Sequence, residues 1–119
     1  MEHVNHLAVV HDVLAAAGIT AGVKRPAGEP EFVRFFLLDT PAKVGRWVEA
    51  GHVELEAWAA TPLAALDLLN RARTALEAAA TSDARVRAVE VVSGPSELPT
   101  GEDSWERYRC SVEISTRNT

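Results

Sequence analysis

The sequence predicts an α+β domain: a mostly antiparallel sheet of four to five strands with two helices packed on one face. Three observations predict it. Apolar residues recur at helical spacing in two segments, one near the N-terminus and one after Thr61. The stretch Gly51–Ala60 alternates apolar and polar residues, and so does the chain's end, Ser104–Arg117. Clean alternation leaves one sheet face polar, which sends both helices to the other. A chain of 119 residues suits a single domain, 1–119.

Each element has a local reason. Leu7, Val10, Val13, Leu14 and Ala17 form an apolar stripe, and Gly18 stands where a helix ends, so a helix is expected over Val4–Ala17. Ile19–Arg25 reads as a short edge strand, and Pro26, Gly28 and Pro30 as a turn. In Glu31–Asp39, "EFVRFFLLD", both parities are apolar, as in a strand covered on both faces. The second cover is part of this chain or of another subunit. Thr40–Ala50 holds Pro41, Gly45 and Trp47 and reads as a long hairpin loop.

In Gly51–Ala60, Val53, Leu55, Ala57 and Ala59 share one face, and His52, Glu54, Glu56 and Trp58 the other. Thr61 suits an N-cap and Pro62 the first helical position, where no N–H is needed. Leu66, Leu69, Ala72, Leu76 and Ala79 stripe the helix that follows, to about Ala80, where Thr81, Ser82 and Asp83 end it. Arg85–Val92 is a Val-rich strand, Ser93–Asp103 a Gly/Pro loop, and Ser104–Arg117 the last strand. The expected core is Leu7, Val10, Leu14, Val53, Leu55, Leu66, Leu69, Leu76, Val89, Val91, Val112 and Ile114.

Composition narrows the function. Hydrophobic residues are 47% and charged residues 24%, an ordinary globular balance. The net charge of −5 disfavours a general nucleic-acid-binding surface, which needs a basic excess. One cysteine, Cys110, cannot form an intrachain disulfide; with no basic-then-apolar leader and no membrane-length apolar run, synthesis in a cytoplasm is expected.

Chemical signatures are weak. His3 and His6, spaced i, i+3, lie on one helix face and can share a metal, but zinc sites take further ligands from elsewhere and His11 falls off that face. Solvated N-terminal histidines are the simpler reading, and no metal is expected. Glu54 and Glu56 stand about 6.5–7 Å apart on one strand face. A glycosidase pair flanks its substrate from opposite sides of a cleft, whereas adjacent carboxylates usually mark a wet sheet face. Ser93-Gly94-Pro95-Ser96 lacks the upstream glycine of a nucleophile elbow, and no phosphate loop is present. Cys110 alternates with Tyr108 and Val112 and reads as a small buried hydrophobe. Trp47, beside Arg46, is the residue pair that interfaces enrich; its other reading is a cover for the base of its own loop.

The pieces taken in order resemble the tail terminator proteins of long-tailed, siphovirus-like phages, especially those of actinobacteria. The resemblance is carried by "HLAVVHDVLAAAGI" from His6, "FVRFFLL" from Phe32, "HVELEAWAATPLAALDLLNRARTAL" from His52, "VVSGPSELP" from Val91 and "ERYRCSVEISTR" from Glu106. It covers nearly the whole chain, and its weight lies in order and lengths rather than in any one motif. It implies a structural virion protein, made in the host cytoplasm, that forms a homohexameric ring on the head-proximal end of the tail tube. Such a ring ends tube growth and joins tail to head. The implied partners are further copies of the chain, the major tail tube protein and a head completion or connector protein. Genomic DNA passes through without specific binding; no membrane, cofactor or enzyme activity is implied.

Within that reading the expected interface residues are Phe35, Arg46, Trp47, Glu54, Glu56 and Trp58, and the Thr40–Ala50 and Ser93–Asp103 loops are the expected partner surfaces. Two roles are open for Glu54 and Glu56: an acidic wall that repels DNA phosphates in the ring's channel, or cross-strand pairs with Arg107 or Arg109, worth roughly 0.2–1 kcal/mol. The competing classes are another head–tail joining protein, a dimeric ligand-binding or regulatory domain with a pocket lined by Phe35 and Phe36, and a small enzyme using Glu54 or Glu56.

Overall fold

The computed structural model describes residues 4–24, 28–99 and 105–117. His3, Arg25, Pro26 and residues 100–104 lie outside them, and with them the end of the expected Ser93–Asp103 loop.

Helix α1 spans His6–Ala16; Asn5 caps it, its Oδ1 accepting from the Leu7 and Ala8 N–H groups at 3.0 and 3.1 Å. Gly18, at φ 76°, closes it, and the Ile19 N–H returns to the Leu14 carbonyl at 2.9 Å. Strand β1 is Ala21–Gly22, β2 Phe32–Leu37, β3 Ala42–Lys43 and β4 Val48–Ala59. Helix α2 runs Pro62–Ser82 from a Thr61 cap whose Oγ1 accepts from the Ala64 N–H at 3.1 Å. Strands β5, Val86–Leu98, and β6, Glu106–Arg117, end the chain. The sheet order is β1-β2-β4-β6-β5, with β3 hydrogen-bonded to β4. β1 runs parallel to β2 and every other pair is antiparallel, so the fold is the expected α+β class with one short extra strand.

Both expected loops are partly strand. Ala42 and Lys43 pair with Ala50 and Glu49, so β4 starts at Val48 rather than Gly51, and a Val44 N–H to Val48 carbonyl bond of 3.0 Å closes a tight turn. β5 runs through the Ser93–Leu98 part of the other loop. Gly94 and Pro95 sit in a register shift, and pairing resumes at Ser96 opposite Arg109. The glycine is required there: it sits at φ 91°, and a Cβ on it would lie 2.7 Å from the Arg109 carbonyl oxygen and 2.9 Å from the Cys110 Cα. A Gly-Pro pair marks a bulge here rather than a turn. β5 and β6 thus make a long ribbon, in a molecule measuring 45 × 24 × 21 Å.

The core lies between the helices and one sheet face. Val33, Phe35, Val53, Leu55, Ala57, Cys110, Val112 and Ile114 meet Val9, Val10, Leu14, Leu68, Leu69, Ala72, Leu76 and Ala79. Two expectations shift by part of a helical turn. Leu66 is only partly buried and Ala65 and Leu68 take its place; Leu7 is partly buried, and Val9 and His6 face inward. Val89 and Val91 pack against the core without being fully enclosed. His6 misled the pattern because it is polar yet buried. Its Nε2 lies 3.2 Å from the Ile114 carbonyl, which only accepts, so that nitrogen carries the proton. It is not a solvated histidine.

Candidate interaction surface

The sheet face turned away from the helices is built by register. Antiparallel pairing sets Phe32, Trp58 and Arg107 in one row, Arg34, Glu56 and Arg109 in the next, then Phe36, Glu54 and Ser111, then His52 and Glu113. Each row has its own chemistry.

At one end the Phe32 and Trp58 rings stack at 5.1 Å between centroids, and Trp105 meets both edge-on at 5.6 and 6.4 Å. The Arg107 guanidinium covers Trp58 at 4.6 Å, and its Nη2 donates to the Pro99 carbonyl at 2.8 Å. At the Phe32 end the second cover of β2 therefore comes from this chain, and Trp58 spends its ring faces on intrachain contacts.

The middle rows are a charge ladder. Arg34 donates to Glu56 and Arg109 to Glu54, each at 3.1 Å, and the two glutamate side chains are only 12% and 13% exposed. Burial, then the neighbouring Glu56 carboxyl, raises the Glu54 pKa against the opposing pull of Arg109. Sequestered this way, Glu54 and Glu56 present no free acidic wall, and the channel-lining role for them is corrected to cross-strand pairing. Of the two arginines expected as partners, Arg109 takes Glu54, while Arg107 goes to Trp58. Arg34, which also lies 4.7 Å over Phe36, is a partner that sequence reasoning missed. Alternation puts acids on a face, but only register says which cation stands opposite.

At the far end His52 sits between two carboxylates, with Nδ1 2.6 Å from Asp39 and Nε2 3.0 Å from Glu113. Only a doubly protonated ring donates to both. The bond to Asp39, foremost, raises the His52 pKa and lowers that of Asp39. Neither Asp39 nor Glu113 carried a sequence signal, since they lie far apart in the chain and the sheet brings them together.

Phe35 is corrected as an interface residue: it is buried in the core under the helices. Phe36 points to the opposite sheet face, so the two do not line one pocket, the lining suggested for the dimeric ligand-binding reading. Cys110 is buried, and burial pushes its thiol up to about 11. Among the described residues no cluster of three or more His, Cys, Asp or Glu could hold a metal ion, and no helix is long and apolar enough to cross a membrane.

The remaining two expected residues stand apart. Arg46 and Trp47 form the tip of the β3–β4 hairpin, with the Arg46 guanidinium 5.0 Å over the indole. Trp47 is 48% exposed and Val44 beside it 63%. The indole is thus half exposed at the turn. On the helix layer, a groove separates α1 from α2. Asp12, Ala16 and Asp83 line one end, Ile19, Asn70 and Thr74 the other, and Ala17 and Ala75 are common to both.

The chain matches no protein-family model and no curated protein.

Proposed function

We propose that the chain is a structural subunit that assembles into a hexameric ring capping the head-proximal end of a phage tail tube, ending tube growth and joining tail to head. The observation that supports this best is the hairpin tip. An exposed Trp–Arg–Val cluster on a two-stranded support is built for contact, and exposed apolar clusters of this kind mark interaction sites. Behind it, Glu54 and Glu56 on the sheet's charged face are paired within the chain. A closed ring needs a head-to-tail interface repeated around an axis, in which one side of each copy fits the other side of the next. The net charge of −5 per copy suits a ring through which DNA passes without sticking.

Mass measurement in solution with negative-stain imaging tests the assembly, and polymerising the tube protein in the chain's presence tests the role. Six-membered rings, free or seated on one end of otherwise smooth tubes, are the expected result. Compact dimers at every concentration, with bare tube ends, overturn the reading. Rings that bind the head connector but never the tube assign the chain to a neighbouring head–tail joining role.

A further inference from the structure

We infer that the hairpin tip is the plug, and the Ile19–Asn70–Thr74 end of the α1–α2 groove the socket, of the contact between successive copies of this chain. The inference rests on the ring reading and adds the two surfaces that would close it.

The tip presents Val44 and Trp47, both exposed, with Arg46 beside the indole. Lys43 also lies on the hairpin, opposite Glu49 in the register, and Arg46 places a cation at the tip itself. Arg46 makes no ion pair with a described residue.

The socket offers the complement. Its floor is apolar and shallow: Ala17, Ile19 and Ala75, with Thr74 and Asn70 on the wall, around a space of about 410 Å³. That falls within the ~300–1,000 Å³ of ordinary binding clefts, and the half of Trp47 that is exposed in the free chain is what seating it would bury. The rim is acidic in balance. Arg71 is held between Glu31 at 3.1 Å and Asp67 at 3.2 Å, so the triplet carries one net negative charge. At the other end of the groove Arg85 is likewise shared by Asp12 and Asp83, at 3.0 and 2.8 Å. An indole set on the alanine floor brings its neighbouring Arg46 to the Glu31–Arg71–Asp67 rim, where a second cation completes the charge count. The tip and socket lie on different layers of one chain, sheet end and helix pair. Such a contact is heterologous and propagates from copy to copy.

The test is cross-linking on the assembled ring, in solution or on tube ends. Gly45→Cys adds a thiol at the tip where a Cβ meets nothing within 4 Å, and Thr74 is exposed on the socket wall, so Thr74→Cys is accessible. Buried Cys110 stays silent in the folded protein. Mixing the two single variants with a short bismaleimide should link the tip thiol of one copy to the socket thiol of the next, giving cross-linked pairs. The double variant should give a ladder up to the full ring. Trp47→Ala should raise the concentration for half-assembly by about tenfold or more while leaving the monomer's melting temperature unchanged. Rings that form normally without the cross-link, and that tolerate Trp47→Ala, overturn the inference and leave the ring reading standing. Tip-to-tip cross-links between Gly45→Cys copies also overturn it, in favour of a two-fold contact. A chain that assembles under none of these conditions removes both readings.

Discussion

Leu69→Ala, set against Leu66→Ala, measures how α2 is seated on the sheet. The side chains lie less than a turn apart, but Leu69 is 1% exposed in the core that holds Val53, Leu55 and Val112, whereas Leu66 is only partly buried. Truncating Leu69 deletes about three methylene equivalents at ~0.8 kcal/mol each, a transfer loss of roughly 2.4 kcal/mol. The hole adds up to about 2 kcal/mol if the surroundings do not collapse into it. The expected cost is therefore about 3–4 kcal/mol, a large part of the ~5–15 kcal/mol that holds a typical domain. Leu66→Ala should cost less, about 1.5–2 kcal/mol, because its partly buried side chain loses only part of that transfer term and leaves no enclosed hole. Urea unfolding followed by circular dichroism reads both, with the slope checked for constancy so that the midpoints report stability. Equal costs for the two variants would show that α2 is rotated from the seating described, and would refute burial as the source of the difference.

Gly94→Ala should destabilise by about 2 kcal/mol or more, from the strained positive φ and the contact with the Arg109 carbonyl; a neutral result in the same urea assay would mean that β5 has room to move off β6. The Asp39–His52–Glu113 cluster should give stability a pH dependence of defined sign. His52 is raised above an unfolded histidine's ~6.5, so its contribution is complete below that value and is lost as pH rises through the raised folded value. Asp39 is lowered by the same bond, so at the acid end the contribution goes as pH falls through the lowered Asp39 value. The stability difference between wild type and His52→Gln should therefore shrink as pH rises from the unfolded histidine's ~6.5 through the raised folded value, with the His52 ring titrating by NMR above the unfolded value. A difference independent of pH would remove the cluster's role.

Much of the fold is legible in the sequence because local periodicity reports which side of an element meets the core. The alternation of Val53, Leu55 and Ala57, the Thr61–Pro62 start of α2 and the Gly18 stop after α1 each read correctly from neighbours alone. Periodicity by itself also determined that His52, Glu54, Glu56 and Trp58 share one face. It did not determine what those side chains do, because their partners are non-local. Arg34 and Arg109 neutralise the two glutamates, Phe32 and Trp105 take up Trp58, and Asp39 and Glu113 clamp His52, all through strand register. His6 repeats the pattern in the core, since a polar residue turns inward only when a carbonyl from a distant strand is waiting for it. Gly94-Pro95 shows the converse: the pair that punctuates a chain locally becomes a bulge when a long partner strand resumes pairing beyond it. Composition and spacing set the elements and the inward face. Tertiary pairing decided which charged and aromatic groups are spent inside the molecule and which, at the Arg46–Trp47 tip, are left to meet something else, because hydrogen-bond register and charge neutralisation act between residues far apart in the chain.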